Sequence, residues 1–207
     1  MTKRILLATL LAASLLPAQA VNCLVAVVNG DVITLLDVQV AAEFGLGYPA
    51  GEGEDPRLRA LDALIERKIV LDLARENRGL TGEELDAALE DLGRSFGDAA
   101  FAAKLAKFGL RPTDLAPYLE ERVLFERALA VRFSAAIPVP LTEVERTYRD
   151  IYVPEQGRLG LAVEPFDKVS GALETRIRDE RLTRQTKDWI RDLRKRANIQ
   201  IKKDCLK

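Results

Sequence analysis

The clearest strand signals lie near the two ends of the chain, and the sequence between them is helical in pattern. Near the start, VAVVNGDVIT is strand-like, and its Asn29-Gly30 pair favours a type I′ hairpin turn. Near the end, Ile199 and Ile201 alternate with polar residues. A short hairpin is not stable alone in water. We therefore predict that residues 198–203 pair antiparallel with residues 24–28.

The first twenty residues have the organisation of a secretory signal peptide. Lys3 and Arg4 precede an apolar stretch that is too short to span a bilayer, and an A-x-A motif follows it. We expect cleavage between Ala20 and Val21; the alternative is a membrane anchor. The expected mature protein is exported, is not embedded in the membrane and lies in the periplasm.

Two cysteines flank the predicted strands. Antiparallel pairing of the chain ends would place Cys23 beside Cys205, and disulfides persist in exported proteins. We predict a Cys23–Cys205 disulfide; the alternative is a pair of free or intermolecular thiols. Asn22 directly before Cys23 does not fit a lipid-attachment motif.

Between the ends, helix signals follow one another with short turns. Thr34 with Asp37 and Thr81 with Glu84 are capping-box pairs, and Asp98 is a third expected N-cap. The apolar spacing of the last helix slips by one residue between Ile177 and Leu182, so its apolar face is expected to rotate there. The expected helices cover residues 34–44, 56–79, 82–96, 98–108, 114–133, 142–150 and 166–196, with an irregular segment at 151–165.

The composition argues against several classes of function. The chain has no histidine, which excludes His-based acid–base chemistry and His-containing metal sites. Its 31 Lys and Arg residues nearly balance 32 Asp and Glu residues, so nothing indicates a nucleic-acid partner. No phosphate-binding motif is present. We expect no catalysis, no metal and no cofactor.

The order of these segments resembles that of a known family. The hairpin VVNGDVIT, the helices LIERKIVLDLARENRGLTGEELDAAL and the ending WIRDLRKRANIQI are similar to SurA-type periplasmic chaperones and to related foldases of the PrsA and PpiD kind. Those families carry a parvulin prolyl isomerase domain between the two halves. Here only IYVPEQGRLGLAV joins them, so isomerase activity is not implied.

The resemblance implies a mainly α fold: a multi-helix SurA N-terminal-like chaperone domain, with an N-terminal β-hairpin paired to a C-terminal strand and a long C-terminal helix. The expected organisation is a helical chaperone domain at 21–140, a linker at 141–165 in place of the parvulin domain, and a helix and strand at 166–207 that complete the chaperone domain.

The resemblance also implies an ATP-independent holdase or foldase for unfolded or nascent exported polypeptides, outer-membrane proteins among them. A dedicated assembly factor for one periplasmic partner and a degenerate isomerase are the alternatives. Client binding requires exposed, adaptable apolar surface. Each candidate has an ordinary core position as its alternative, and the two loop residues Leu46 and Tyr48 are the ones most expected to be exposed. The candidates are Leu46, Tyr48, Phe96, Phe101, Phe108 and Tyr118.

Overall fold

The computed structural model describes residues 23–48, 51–73, 79–135 and 137–206. The predicted signal peptide and its cleavage site at Ala20 and Val21 lie outside the described residues. Within them the chain is mainly helical, with one small sheet. No helix among the described residues is both long enough and apolar enough to cross a membrane.

The two ends of the described chain form one antiparallel sheet. Strands β1 (Leu24–Val28), β2 (Asp31–Thr34) and β3 (Ile199–Ile201) lie in the order β2-β1-β3. Asn29 (φ 50°) and Gly30 (φ 99°) both adopt positive φ angles, as a type I′ turn requires. The predicted pairing of the chain ends is confirmed, although β3 is shorter than the predicted strand.

The predicted cysteine pair lies at one end of the strands of this sheet. The sulfur atoms of Cys23 and Cys205 are at bonding distance, and their Cα atoms are 6.0 Å apart. That Cα separation is typical of a disulfide. The pair links the start of β1 to a 3₁₀ turn, Lys203–Leu206, that follows β3.

Five helices between the sheet strands form the body of the protein. The capping boxes predicted at Thr34 and Thr81 are present. The cap predicted at Asp98 is wrong: Gly97 (φ 77°) occupies the N-cap position, and Asp98 is the first helical residue. The helices are α1 (Leu35–Glu43), α2 (Pro56–Leu73), α3 (Gly82–Phe96), α4 (Asp98–Phe108) and α5 (Ala116–Arg132), with a 3₁₀ turn at Pro112–Leu115 before α5.

The segment predicted to be irregular is mostly helical. Helix α6 (Leu141–Thr147) continues through a π-helical turn (Tyr148–Tyr152) into α7 (Val153–Leu159). Only residues 160–165 are non-helical before α8 (Phe166–Arg196) begins. The helix expected from residue 142 begins one residue earlier, at Leu141, after Pro140 and without a side-chain cap. We call residues 141–165 the arm.

Helix α8 joins two separate hydrophobic cores. Its N-terminal half packs Leu173 and Ile177 against Val144 and the aromatic side chains of the arm. Its C-terminal half packs Ile190 and Leu193 into the main core of the body. Because helical residues advance by 100° each, these two pairs lie on opposite sides of α8. The predicted rotation of the apolar face is therefore confirmed, and it lets one helix carry the arm on one side and the body on the other.

Candidate binding groove

A groove of about 750 Å³ lies where the middle of α8 passes over α2 and α5. Most of its exposed lining is apolar. Leu182 and Ile190 are the apolar residues that α8 contributes to the lining. These two side chains face Phe125 and Leu129 from α5 across the groove. Leu182 is 36% exposed, so the groove offers apolar surface that no part of the described chain covers.

Charged side chains from α2 and α8 form the edge of the groove. Arg194 contacts Asp62 at 3.0 Å and Glu66 at 3.8 Å, which fixes the position of α8 relative to α2. The Tyr48 hydroxyl donates a hydrogen bond to Glu66, and the Arg59 guanidinium lies 5.6 Å from the centre of the Tyr48 ring. The edge at this end is therefore a linked network of charged groups.

Burial perturbs the acid–base properties of this network. It raises the pKa of Glu66 above its ordinary value, against the opposing effects of the Tyr48 hydrogen bond and the Arg194 charge. Burial also raises the pKa of Tyr48, and the hydrogen bond to Glu66 raises it further. Tyr48 therefore stays protonated at neutral pH and acts as a hydrogen-bond donor.

A second depression, of about 770 Å³, lies along the exposed side of α8, but its chemistry differs. It is lined by small and charged residues of α8 alone, Ala172 and Thr175 among them. No apolar floor comparable to that of the groove is present among its lining residues. The groove between α8 and the body is the better candidate for binding an apolar segment.

The expectation that Leu46 is exposed is wrong. Its side chain is 0% exposed and belongs to the main core. Arg67, itself only 6% exposed, donates a hydrogen bond to the Leu46 carbonyl oxygen and holds the loop against α2. Tyr48, two residues on, is half-buried and lines the groove.

Three of the other candidates come together away from the groove. Phe96, Phe101 and Phe108 surround the fully buried Phe44, with ring centres 6.2, 5.9 and 6.4 Å from it. All three are half-buried and pack against the main core. Their position is that of core aromatics at the α3–α4 end of the body.

Tyr118 also has a structural role. Its hydroxyl donates a hydrogen bond of 2.8 Å to Asp37, the residue that completes the capping box of α1.

Of the six candidates, only Tyr48 lies at the groove. The sequence interpretation did not select the groove residues Phe125, Leu129 and Leu182; the spacing slip between Ile177 and Leu182 was a signal for Leu182 alone.

Comparisons with other proteins do not identify the chain. No protein-family model matches it, and no curated protein matches it. Among the described residues, no group of three or more acidic or cysteine side chains is placed to hold a metal ion. The basis for assigning a function is therefore the geometry of the groove, which has an open apolar floor and a charged edge between packed helices.

Proposed function

We propose that the protein is an ATP-independent periplasmic chaperone of the SurA type that holds unfolded exported polypeptides in the groove between α8 and the body. The observation that carries the proposal is the apolar floor of the groove, where Leu129 and Leu182 are partly exposed beside the buried side chains of Phe125 and Ile190. Exposed apolar surface of this kind marks sites of interaction with other polypeptides.

The way in which the groove is built suits reversible binding. Its floor is aliphatic and aromatic, without a deep enclosed pocket for one particular side chain, which favours many apolar segments over one. Client binding lowers the concentration of free unfolded chain and so limits aggregation. No covalent step and no nucleotide enter this mechanism.

The test is suppression of aggregation by the purified mature protein in its oxidised form. It is titrated without ATP into a chemically unfolded outer-membrane porin and, separately, into an unrelated unfolded soluble enzyme. We expect suppression of both at near-stoichiometric ratios. Failure with both would contradict the holdase proposal and favour a factor dedicated to one partner.

A groove variant and a matched control locate the activity. Leu182→Asp places a charge on the groove floor and is expected to abolish most of the suppression. Val131→Asp is the control, because Val131 is 75% exposed on α5 and does not line the groove. Equal activity of the two variants would place client binding elsewhere.

A further inference from the structure

The hairpin turn contains a chemically reactive pair of residues. Asn29-Gly30 is the one Asn-Gly pair in the sequence, and both residues are exposed. An asparagine followed by glycine is the most prone to deamidation, because no side chain obstructs attack of the glycine nitrogen on the asparagine carboxamide. A Cβ atom added at Gly30 would meet nothing within 4 Å, so solvent has access to the pair.

The Asn29 carboxamide connects three parts of the chain. Its Oδ1 atom accepts a hydrogen bond of 2.9 Å from the N–H of Asn198, just before β3. Its Nδ2 atom donates a hydrogen bond of 2.8 Å to the Asp72 carboxylate at the end of α2. The Asn29 N–H also donates to the Asn198 carbonyl oxygen at 2.9 Å. The side chain therefore links the hairpin turn to the terminal strand and to α2.

Deamidation removes the atom that contacts α2. The Gly30 nitrogen gives up its proton and forms a bond to Cγ of Asn29; the Cγ–Nδ2 bond breaks, and Nδ2 takes up a proton and leaves as ammonia. One molecule of solvent water then opens the cyclic imide and yields aspartate or isoaspartate. Because hydrogen bonds hold the carboxamide on Asp72 and Asn198, it is not free to turn towards the Gly30 nitrogen. We expect the folded state to slow the reaction for that reason.

Aspartate at position 29 would keep the turn and lose the contact with α2. An aspartate tolerates the positive φ of this position (50°) as asparagine does. In place of the Nδ2 donor, however, a carboxylate oxygen would lie against the Asp72 carboxylate, at a position where the present partners are 2.8 Å apart. Two ionised carboxylates at that distance repel each other.

Isoaspartate at position 29 would disrupt the turn itself. It adds one atom to the main chain, whereas the present turn joins β1 to β2 through two residues, with Val28 opposite Asp31. The register of a hairpin depends on the type and length of its turn. Each product therefore weakens the junction at which the hairpin meets β3 and α2.

We propose that Asn29 is a deamidation site that the folded structure protects, and that its conversion loosens the junction of the hairpin with β3 and α2. The reaction occurs mainly in molecules whose junction has opened. The modification then marks those molecules irreversibly and disfavours their closure. This inference does not depend on the groove proposed as the client site.

Mass spectrometry of peptides from the aged protein tests the protection. The mature, oxidised protein is incubated at mildly alkaline pH, either folded or unfolded in urea, with Asn198 as the internal reference. We expect faster conversion of Asn29 in urea, and conversion about tenfold faster in folded Asp72→Ala than in the folded wild type, because one charge-assisted hydrogen bond is lost. Asp72→Asn keeps an acceptor and should change the rate much less. Equal rates in the folded and unfolded wild type, or equal rates in both Asp72 variants, would overturn the protection.

Urea unfolding of designed variants tests the consequence. Asn29→Asp reproduces one product and is expected to unfold at a lower urea concentration than the wild type. Adding Asp72→Asn to the same chain is expected to restore most of the difference, because the new amide donates to the carboxylate at position 29. Asn29→Asp with the stability of the wild type, or no restoration by the second substitution, would overturn the proposed effect on the junction.

Discussion

Replacing both cysteines with serine is expected to lower the free energy of unfolding substantially. Cys23 and Cys205 are 182 residues apart in sequence, so the bond closes almost the whole described chain into one loop. In the chain-entropy model, a loop of that length restricts the unfolded state by about 5 kcal/mol. Allowing for structure that persists in the unfolded state, we expect a loss of about 3–5 kcal/mol in the double variant.

Urea unfolding followed by circular dichroism measures this difference. The denaturant dependence of the double variant should also be steeper, because an unfolded chain without the crosslink exposes more surface. Reduction of the wild type should reproduce the loss of stability, and reduction of the double variant should change nothing. Equal stability of the double variant and of an oxidised wild type that has no titratable thiol would refute the reasoning.

Two further predictions follow from buried and paired groups in the body. Leu46→Ala is expected to cost about 2–5 kcal/mol in thermal or urea unfolding and to leave client binding intact, whereas Leu58→Ala at a 48%-exposed position should cost far less; loss of binding without loss of stability would contradict the core assignment. Hydrogen bonds from Lys104 and Lys107 hold the pKa of Glu43 below its ordinary value of 4.5. The stability that Glu43 contributes is thus present above that value and lost as the pH falls through the lowered pKa. Glu43→Gln should therefore cost up to about 1 kcal/mol at neutral pH and progressively less as the pH falls below 4.5, and a pH-independent difference would contradict this explanation.

Local chemistry made part of the fold predictable from the sequence. The hairpin turn requires positive φ at two successive residues, and Asn29-Gly30 is the pair that tolerates it best. The capping boxes at Thr34 and Thr81 involve partners three residues apart, so each is complete within the local sequence. The pairing of the two chain ends could also be predicted, because a short hairpin and a single terminal strand are each unstable without a neighbouring strand.

The arm was harder to predict because its sequence contains helix-breaking residues. Pro154 and Gly157 are residues that disfavour a helix interior, but Pro154 lies in the first turn of α7, where a missing N–H is tolerated. The preceding π-helical turn carries the helix from α6 to α7. Tyr152, in the segment expected to be irregular, packs against the cluster of Val144, Leu173 and Ile177, and that contact is not visible in the local pattern.

The groove and the burial of Leu46 depend on contacts between residues far apart in the chain. The Arg67 side chain reaches the Leu46 carbonyl across 21 residues, so the loop is fixed by a bond that no local pattern indicates. The groove exists only where three helices meet. Its one sequence signal was the slip in apolar spacing, which places Leu182 on the same side of α8 as Leu193, the side that packs on the body.

Site-specific photo-crosslinking tests the central claim most directly. A photoreactive phenylalanine analogue replaces Leu182 in one sample and Val131 in another, and each is irradiated with an unfolded porin. We predict an adduct from position 182 that an excess of a second unfolded protein suppresses, and little adduct from position 131. Aggregation suppression by both samples with no adduct at position 182 would contradict the assignment of the groove as the client site.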